Sequence, residues 1–286
     1  MRERRIVFVH AHPDDETLWT GGTIARYVAE GARVGLVTCT LGEQGEVIPP
    51  ELAGLTADSA DQLGGYRLGE LAAATAALGV TDQRFLGGLG RWRDSGMVVE
   101  PGRRASLPPN LHPRAFAAGP LDEQVTQLAE VLAELRPQVV VTYGPDGGYG
   151  HPDHVQAHRM TMAAAERADG VERVFWAVQP RTAVDDCVAE LRAMTSLPFP
   201  PPDHGELPGV PDEEVDVVLD VGAQVQTTMR AIRAHATQVT LWEGPAGQRA
   251  LALSDGVARP VMVREHFTLA RGSAPEAGDD LFVGLA

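Results

Sequence analysis

The sequence predicts an α/β chain: a Rossmann-like, doubly wound, mostly parallel sheet with helices on both faces and a smaller C-terminal α/β part. Short continuous apolar runs alternate with amphipathic segments over the first 180 residues, the pattern of βαβ units whose sheet is covered on both faces. Crossovers between parallel strands are right-handed, which makes a doubly wound sandwich the default topology. The chain has 286 residues, enough for one large domain or a domain with an appendage.

Taken in order, "RIVFVHA" reads as a first strand and "GGTIARYVAEG" as a helix closed by Gly31. "RVGLVTCT" is a second strand, "ADQLGGYRLGELAAATAALG" a helix and "QRFLG" a third strand. In "LDEQVTQLAEVLAELRP" the apolar residues Leu121, Val125, Leu128, Val131, Leu132 and Leu135 form a helical stripe stopped before Pro137. "QVVVTYG" is a fourth strand, "HPDHVQAHRMTMAAAER" a helix and "RVFWAVQ" a fifth strand. Residues 1–194 are expected to form the core. Residues 195–286 are expected to form a proline-rich connection and a C-terminal part with strand "VDVVLDV", helix "AQVQTTMRAIRAHATQ" and strand "PVMVREHFTLA", the whole making one structural unit. Residues 41–60, 87–120 and 195–212 read as long loops, of the length that usually lines a site.

Composition excludes several classes. Twenty-four basic against 39 acidic residues give a net charge of −15, which argues against a nucleic-acid or anionic-membrane surface. No apolar run is long enough to span a bilayer, and the basic-then-apolar start lacks a cleavage site, so a cytoplasmic protein is expected. Cys39 and Cys187 make no disulfide framework and no metal-type spacing. All the basic residues are arginine. Without lysine, a Schiff base and a phosphate loop ending in Gly-Lys are excluded. No G-x-G-x-x-G follows the first strand, which removes a dinucleotide-binding reading.

Two motifs carry the chemistry. "HAHPDDET" leaves the first strand and "GYGHPDH" leaves the fourth, about 140 residues later. In the common strand order these strands are neighbours where the winding reverses, at the crevice that binds ligands. A catalytic zinc takes three protein ligands and keeps one position open. His12 and Asp15 in the first turn and His154 in the second are assigned as those ligands, around an ion that activates water. Asp14, beside the ligand Asp15, is placed to accept the proton of that water. His151 is assigned to protonate a leaving amine or stabilise an oxyanion, with Asp153 fixing its tautomer and the Tyr149 hydroxyl serving the developing oxyanion. Taken singly, each turn also reads as a helix start, because Pro and acidic residues suit that position. Two such turns, each after a buried strand and each with extra histidines, favour one shared site. Glu16 reads as structural, His10 and His158 as packed or second-sphere residues, and His112, His204, His235 and His266 carry no motif.

These residues resemble those of the PIG-L/LmbE-type metal-dependent de-N-acetylases, whose two motifs match "AHPDDE" and "GGYGHPDH". The stretches "VTCTLGEQGEV", "LTADSADQLGGYRLGEL", "FLGGLGRWRDSGM" and "AHATQV" are similar to the branch that removes acetate from N-acetylglucosaminyl-inositol in mycothiol biosynthesis. The resemblance implies a zinc enzyme, with ferrous iron as the other candidate ion, acting on a small sugar-inositol substrate, and the same roles for the residues above. It adds Arg67, Asp94 and Glu46 as residues that hold inositol or sugar hydroxyls. Residues 165–215 depart most from the family pattern. A mycothiol S-conjugate amidase and a de-N-acetylase of another N-acetylated sugar are the alternatives.

Overall fold

The structure, a computed structural model, describes residues 3–99, 105–245, 247–273 and 278–285. Its centre is a seven-stranded sheet. The elements in chain order are β1 (Arg5–His10), α1 (Asp15–Ala29), β2 (Arg33–Thr38), α2 (Leu63–Leu78), β3 (Asp82–Phe85), the short β4 (Val98–Val99) and β5 (Ala105–Ser106), α3 (Leu121–Leu135), β6 (Val139–Tyr143), α4 (Pro152–Arg167), β7 (Arg173–Val178) and α5 (Arg181–Ala193). The C-terminal part adds β8 (Val217–Asp220), α6 (Val225–Ala234), β9 (Thr240–Glu243), β10 (Arg249–Ala252), β11 (Ala258–Pro260) and β12 (Arg264–Arg271). The sheet order is β3-β2-β1-β6-β7-β12-β8, with parallel pairing from β3 to β7 and β12 antiparallel to both its neighbours, β7 and β8.

Alternation along β1 divides the core into two layers. Ile6 and Phe8 pack with Ile24 of α1, Leu71 and Leu78 of α2 and Ala231 of α6. Val7 and Val9 point the other way, toward Leu128 and Leu132 of α3 and Met160 of α4. All four β1 side chains are buried, each contributing roughly 1.5–3 kcal/mol relative to exposure. The turn at the end of this strand therefore hangs from a rigid support.

The expected strand neighbours are found: Ile6, Val7 and Phe8 of β1 register with Val139, Val140 and Val141 of β6. Both His-Pro-Asp turns leave the same end of adjacent strands. Three elements were not read from the sequence. The β4–β5 hairpin lies inside the loop at 87–120, α5 follows β7, and β9–β11 form a separate antiparallel sheet. The helix read across residues 223–238 ends at Ala234, so "HATQ" lies beyond it, and "PVMVREHFTLA" divides between the end of β11 and β12. Because β8 and β12 belong to the central sheet, Val217, Leu219 and Phe267 share its core, whereas Ala250 and Ala258 of the smaller sheet pack in a separate cluster with Leu191. Among the described residues no helix is long and apolar enough to cross a membrane.

Candidate metal centre

The first turn is held by its own atoms. The His12 N–H donates to Asp15 Oδ2 at 2.9 Å. Asp14, the residue before α1, has φ +103°, outside the regions that L residues ordinarily adopt. The same Asp15 Oδ2 lies 3.2 Å from His12 Nδ1 and 3.3 Å from His154 Nε2. His12, Asp15 and His154 are thus brought together, each nine-tenths buried or more.

The remaining ring nitrogens show that these side chains fit a cation. His154 Nδ1 faces the Gly147 carbonyl at 3.1 Å, an arrangement that puts the proton there, while Nε2 has no hydrogen-bond partner. His12 Nε2 faces Asp153 Oδ2 at 3.2 Å, which leaves Nδ1 as the lone pair toward Asp15. A carboxylate or carbonyl on the outer nitrogen is how metal-ligating imidazoles are normally oriented. In these neutral tautomers two lone pairs and a carboxylate oxygen converge, an arrangement that takes up a positive charge, whether a proton or a divalent cation. The charge balance agrees. Burial pushes the His12 imidazole toward the neutral form, but Asp94, Asp15 and Asp153 outweigh it and hold its pKa well above the usual range. Ligand atoms of His12, His151 and His154 also lie within 4.8 Å of one another, as do those of His12, Asp94 and Asp153. The second set is less available, because both Asp153 oxygens already accept backbone N–H bonds, from Ser95 at 2.9 Å and Ala117 at 3.0 Å.

Asp14 Oδ2 accepts from Arg67 Nη2 at 2.9 Å. Burial pushes its carboxyl up to about 6, against the lowering pull of the Arg67 guanidinium. His151 sits in the second turn as the residue before α4, and its Nδ1 accepts the Asp153 N–H at 3.1 Å. Burial, followed by the neighbouring His12 and His154, holds it well below the usual histidine range. A neutral ring with Nδ1 as acceptor carries its proton on Nε2. The Asp153 carboxylate, expected to orient His151, turns instead to His12, Ser95 and Ala117; its contact with His151 is through the backbone. The cause is local: at position two of α4 a free N–H points at the His151 ring. Tyr149, half-exposed, places its ring 5.1 Å from that of His154 and 6.1 Å from that of His151.

The three residues implied by resemblance are placed differently from one another. Arg67 is 2% exposed and donates to the carbonyls of Pro13 and Gly42 as well as to Asp14, with Nε unpartnered. Asp94 is buried, with Oδ1 3.5 Å from His12 Nε2 and accepting from the Gly96 N–H at 2.8 Å, while Oδ2 accepts from the Gln44 N–H at 3.2 Å. Burial would raise its pKa, but His12, His151 and the Gly96 N–H hold it far below the usual carboxylate range. Glu46 is exposed and offers its carbonyl to Gln238. Residues not read from the sequence also line the centre. Tyr143, the last residue of β6, stacks on His154 at 4.1 Å and its hydroxyl accepts the Ala11 N–H at 2.8 Å. Glu43 accepts the Asp94 N–H at 3.0 Å, and a buried His235 contacts Glu16 at 2.7 Å. A tyrosine closing a buried strand just before a glycine-rich turn was the one available signal; the others are long-range pairs.

Comparison with known proteins bears on the family and the fold. Residues 7–165 match the PIG-L family, described as GlcNAc-PI de-N-acetylase. A 1D-myo-inositol 2-acetamido-2-deoxy-alpha-D-glucopyranoside deacetylase 1 of Saccharopolyspora erythraea is 58% identical over 98% of this chain and 94% of its own. Two solved structures share the fold. One is the N,N'-diacetylchitobiose deacetylase of Pyrococcus horikoshii (18% identity, 82% of this chain and 70% of that one, TM-score 0.51). The other is the 4-carboxy-2-hydroxymuconate hydratase of Pseudomonas putida (17%, 96% and 98%, TM-score 0.55). Since one is a deacetylase and the other a hydratase, fold alone does not select a reaction. Sequence and family do: the chain belongs to the PIG-L, GlcNAc-PI de-N-acetylase, family.

Proposed function

We propose that this chain hydrolyses the acetamide of an N-acetylglucosaminyl-inositol conjugate to free amine and acetate, the step that serves mycothiol biosynthesis. His12, Asp15 and His154 would hold one zinc or ferrous ion per chain. The observation that carries the reading is the convergence of two outward-anchored imidazoles on Asp15 Oδ2, beside the Asp14 carboxylate. The 58% identical deacetylase supports the substrate class.

A divalent cation supplies a Lewis acid that brings the ionisation of water near neutral pH. Asp14, ionised above about pH 6, accepts the proton of the attacking water and returns it to the leaving nitrogen. His151 presents Nε2–H to the carbonyl oxygen, since its Nδ1 is committed to the Asp153 N–H. That geometry favours oxyanion stabilisation over proton donation for this ring. Tyr149, whose ring lies beside those of His154 and His151, would add its hydroxyl to the same oxygen. Asp153 fixes His12 through its carboxylate and His151 through its backbone. Arg67 keeps Asp14 ionised and in place, and Asp94 and Glu46 remain the candidate contacts to sugar or inositol hydroxyls. Residues 1–194 supply the ligands and base, and residues 195–286 complete the wall of the pocket.

Initial rates of acetate release from N-acetylglucosaminyl-inositol, beside amide cleavage of a mycothiol thiol conjugate, test the substrate. The sugar-inositol is expected to have the larger kcat/KM. A reversed preference would reassign the chain as the conjugate amidase.

A further inference from the structure

Three residues beyond α6 bond three other parts of the chain, the loop at Glu46, α2 and α1. Gln238 Nε2 donates to the Glu46 carbonyl at 3.0 Å. Thr237 donates through its N–H and its hydroxyl to the two carboxylate oxygens of Glu70 on α2, at 2.8 and 2.7 Å. His235 Nε2 lies 2.7 Å from Glu16 Oε1, with both side chains at most 1% exposed. The other Glu16 oxygen accepts the Asp14 N–H at 2.9 Å. Asp14 is also the residue at φ +103°, with ψ −32°, a backbone state that persists only where surrounding structure over-determines it.

We propose that the buried His235–Glu16 pair is a positioning device for Asp14: it grips the Asp14 N–H and so maintains the strained turn that aims the Asp14 carboxylate into the centre. The inference rests on the reading of Asp14 as the base. Helix capping alone does not explain the pair. A cap requires one acceptor for one free N–H, and Glu16 meets that need without a partner. Here a histidine 219 positions away is brought to the carboxylate, and two ionisable groups are desolvated where apolar side chains of similar volume would stabilise as well. The Thr17 hydroxyl, 2.5 Å from the same Oε1, bonds it from within α1, and the histidine adds a restraint from across the chain, so that the second oxygen stays on the Asp14 N–H. Strained catalytic turns need that over-determination, because misplacement by about 1 Å can cost about 10²-fold in rate.

The test uses the metal-loaded full chain with His235→Leu, which removes the histidine and leaves the Thr17 hydroxyl as the other donor to Glu16 Oε1, and His235→Gln, which keeps an N–H donor at that position. His235→Leu is expected to lower kcat about 10²-fold with KM and bound metal unchanged, and His235→Gln to recover most of it. In an Asp14→Ala background, His235→Leu should cause no further loss, because the pair acts through Asp14. The crystal structure of His235→Leu should show Asp14 outside the positive-φ region. Should leucine prevent folding, His235→Ala assayed with and without imidazole carries the same test, and rescue of kcat by imidazole is expected. A folded, metal-loaded variant with full kcat overturns the proposal, as does an equal loss in the Asp14→Ala background. If Asp14→Ala itself keeps turnover, the base assignment fails, while the Asp14 φ of the His235 variant still decides whether the pair holds the turn.

Discussion

The turn His12–Asp15 and the turn His151–His154 share the order His-Pro-Asp and each opens a helix, yet the backbone runs differently through them. In the second, His151 occupies an ordinary cap position with φ −57°, its imidazole accepts the Asp153 N–H, and Pro152 begins α4. The motif residue is itself the cap. In the first, no side chain of the cap residue Asp14 bonds the helix, and its φ is +103°. The capping contact comes from Glu16, which reaches back to the Asp14 N–H, as in a capping box. Transferring the cap to Glu16 leaves the Asp14 carboxylate unused by the helix, held instead by Arg67. Where the motif caps its own helix, its histidine loses an acceptor and becomes a donor only; where a neighbour caps, an acidic group stays free to take a proton.

The comparison breaks most sharply on the two side chains it assigns to opposite roles. Asp14→Asn, with the base gone, is expected to lower kcat by about 10²–10⁴ at unchanged metal content. His151→Phe removes one oxyanion donor, with an expected loss of about 10²–10³ and no change in the acid limb of the pH profile. If His151→Phe instead abolishes the alkaline limb, the ring acts as a proton donor and the two turns are more alike than their geometry indicates.

A smaller effect is expected at Asp153, which belongs to the second turn but serves the first through His12. Asp153→Asn should weaken metal affinity about 10–100-fold, read by chelator competition. Unchanged affinity would mean that His12 is oriented by Asp94 alone.

The smallest effect concerns pH. Asp14 must be ionised to accept a proton, so kcat/KM falls as pH drops through about 6. Arg67 lowers that pKa against burial and the Asp15 charge. Arg67→Met removes the opposing charge, and the acid limb should move to higher pH. A limb that stays in place would show that Arg67 serves another function, such as binding hydroxyls.

The sheet and the centre were legible in the sequence to different depths. Apart from the short β4 and β5, the strand and helix order through β7 followed from periodicity, and the meeting of the two turns followed from strand order, because each motif is a continuous stretch. α5 was missed where its run leads into "SLPFPPPD", whose prolines dominate the reading. The partners of Asp14, Asp94 and Asp153 could not be read. Glu16–His235, Glu43–Asp94 and Ser95–Asp153 join residues with no local pattern between them. His235, inside the helix read across residues 223–238, looks like any helical histidine until α6 ends at Ala234 and packs beside α1. Resemblance pointed to Arg67 and Asp94 but not to the protein groups they already hold.

Stripping divalent metal from the chain and titrating zinc or ferrous iron back, while following acetate release from the sugar-inositol substrate, addresses the grip of three side chains on one ion most directly. The account predicts that turnover disappears on stripping and returns with a break at one equivalent per chain, and that His154→Ala neither binds nor recovers. Full turnover without metal, or an equally tight single ion in His154→Ala, would contradict it.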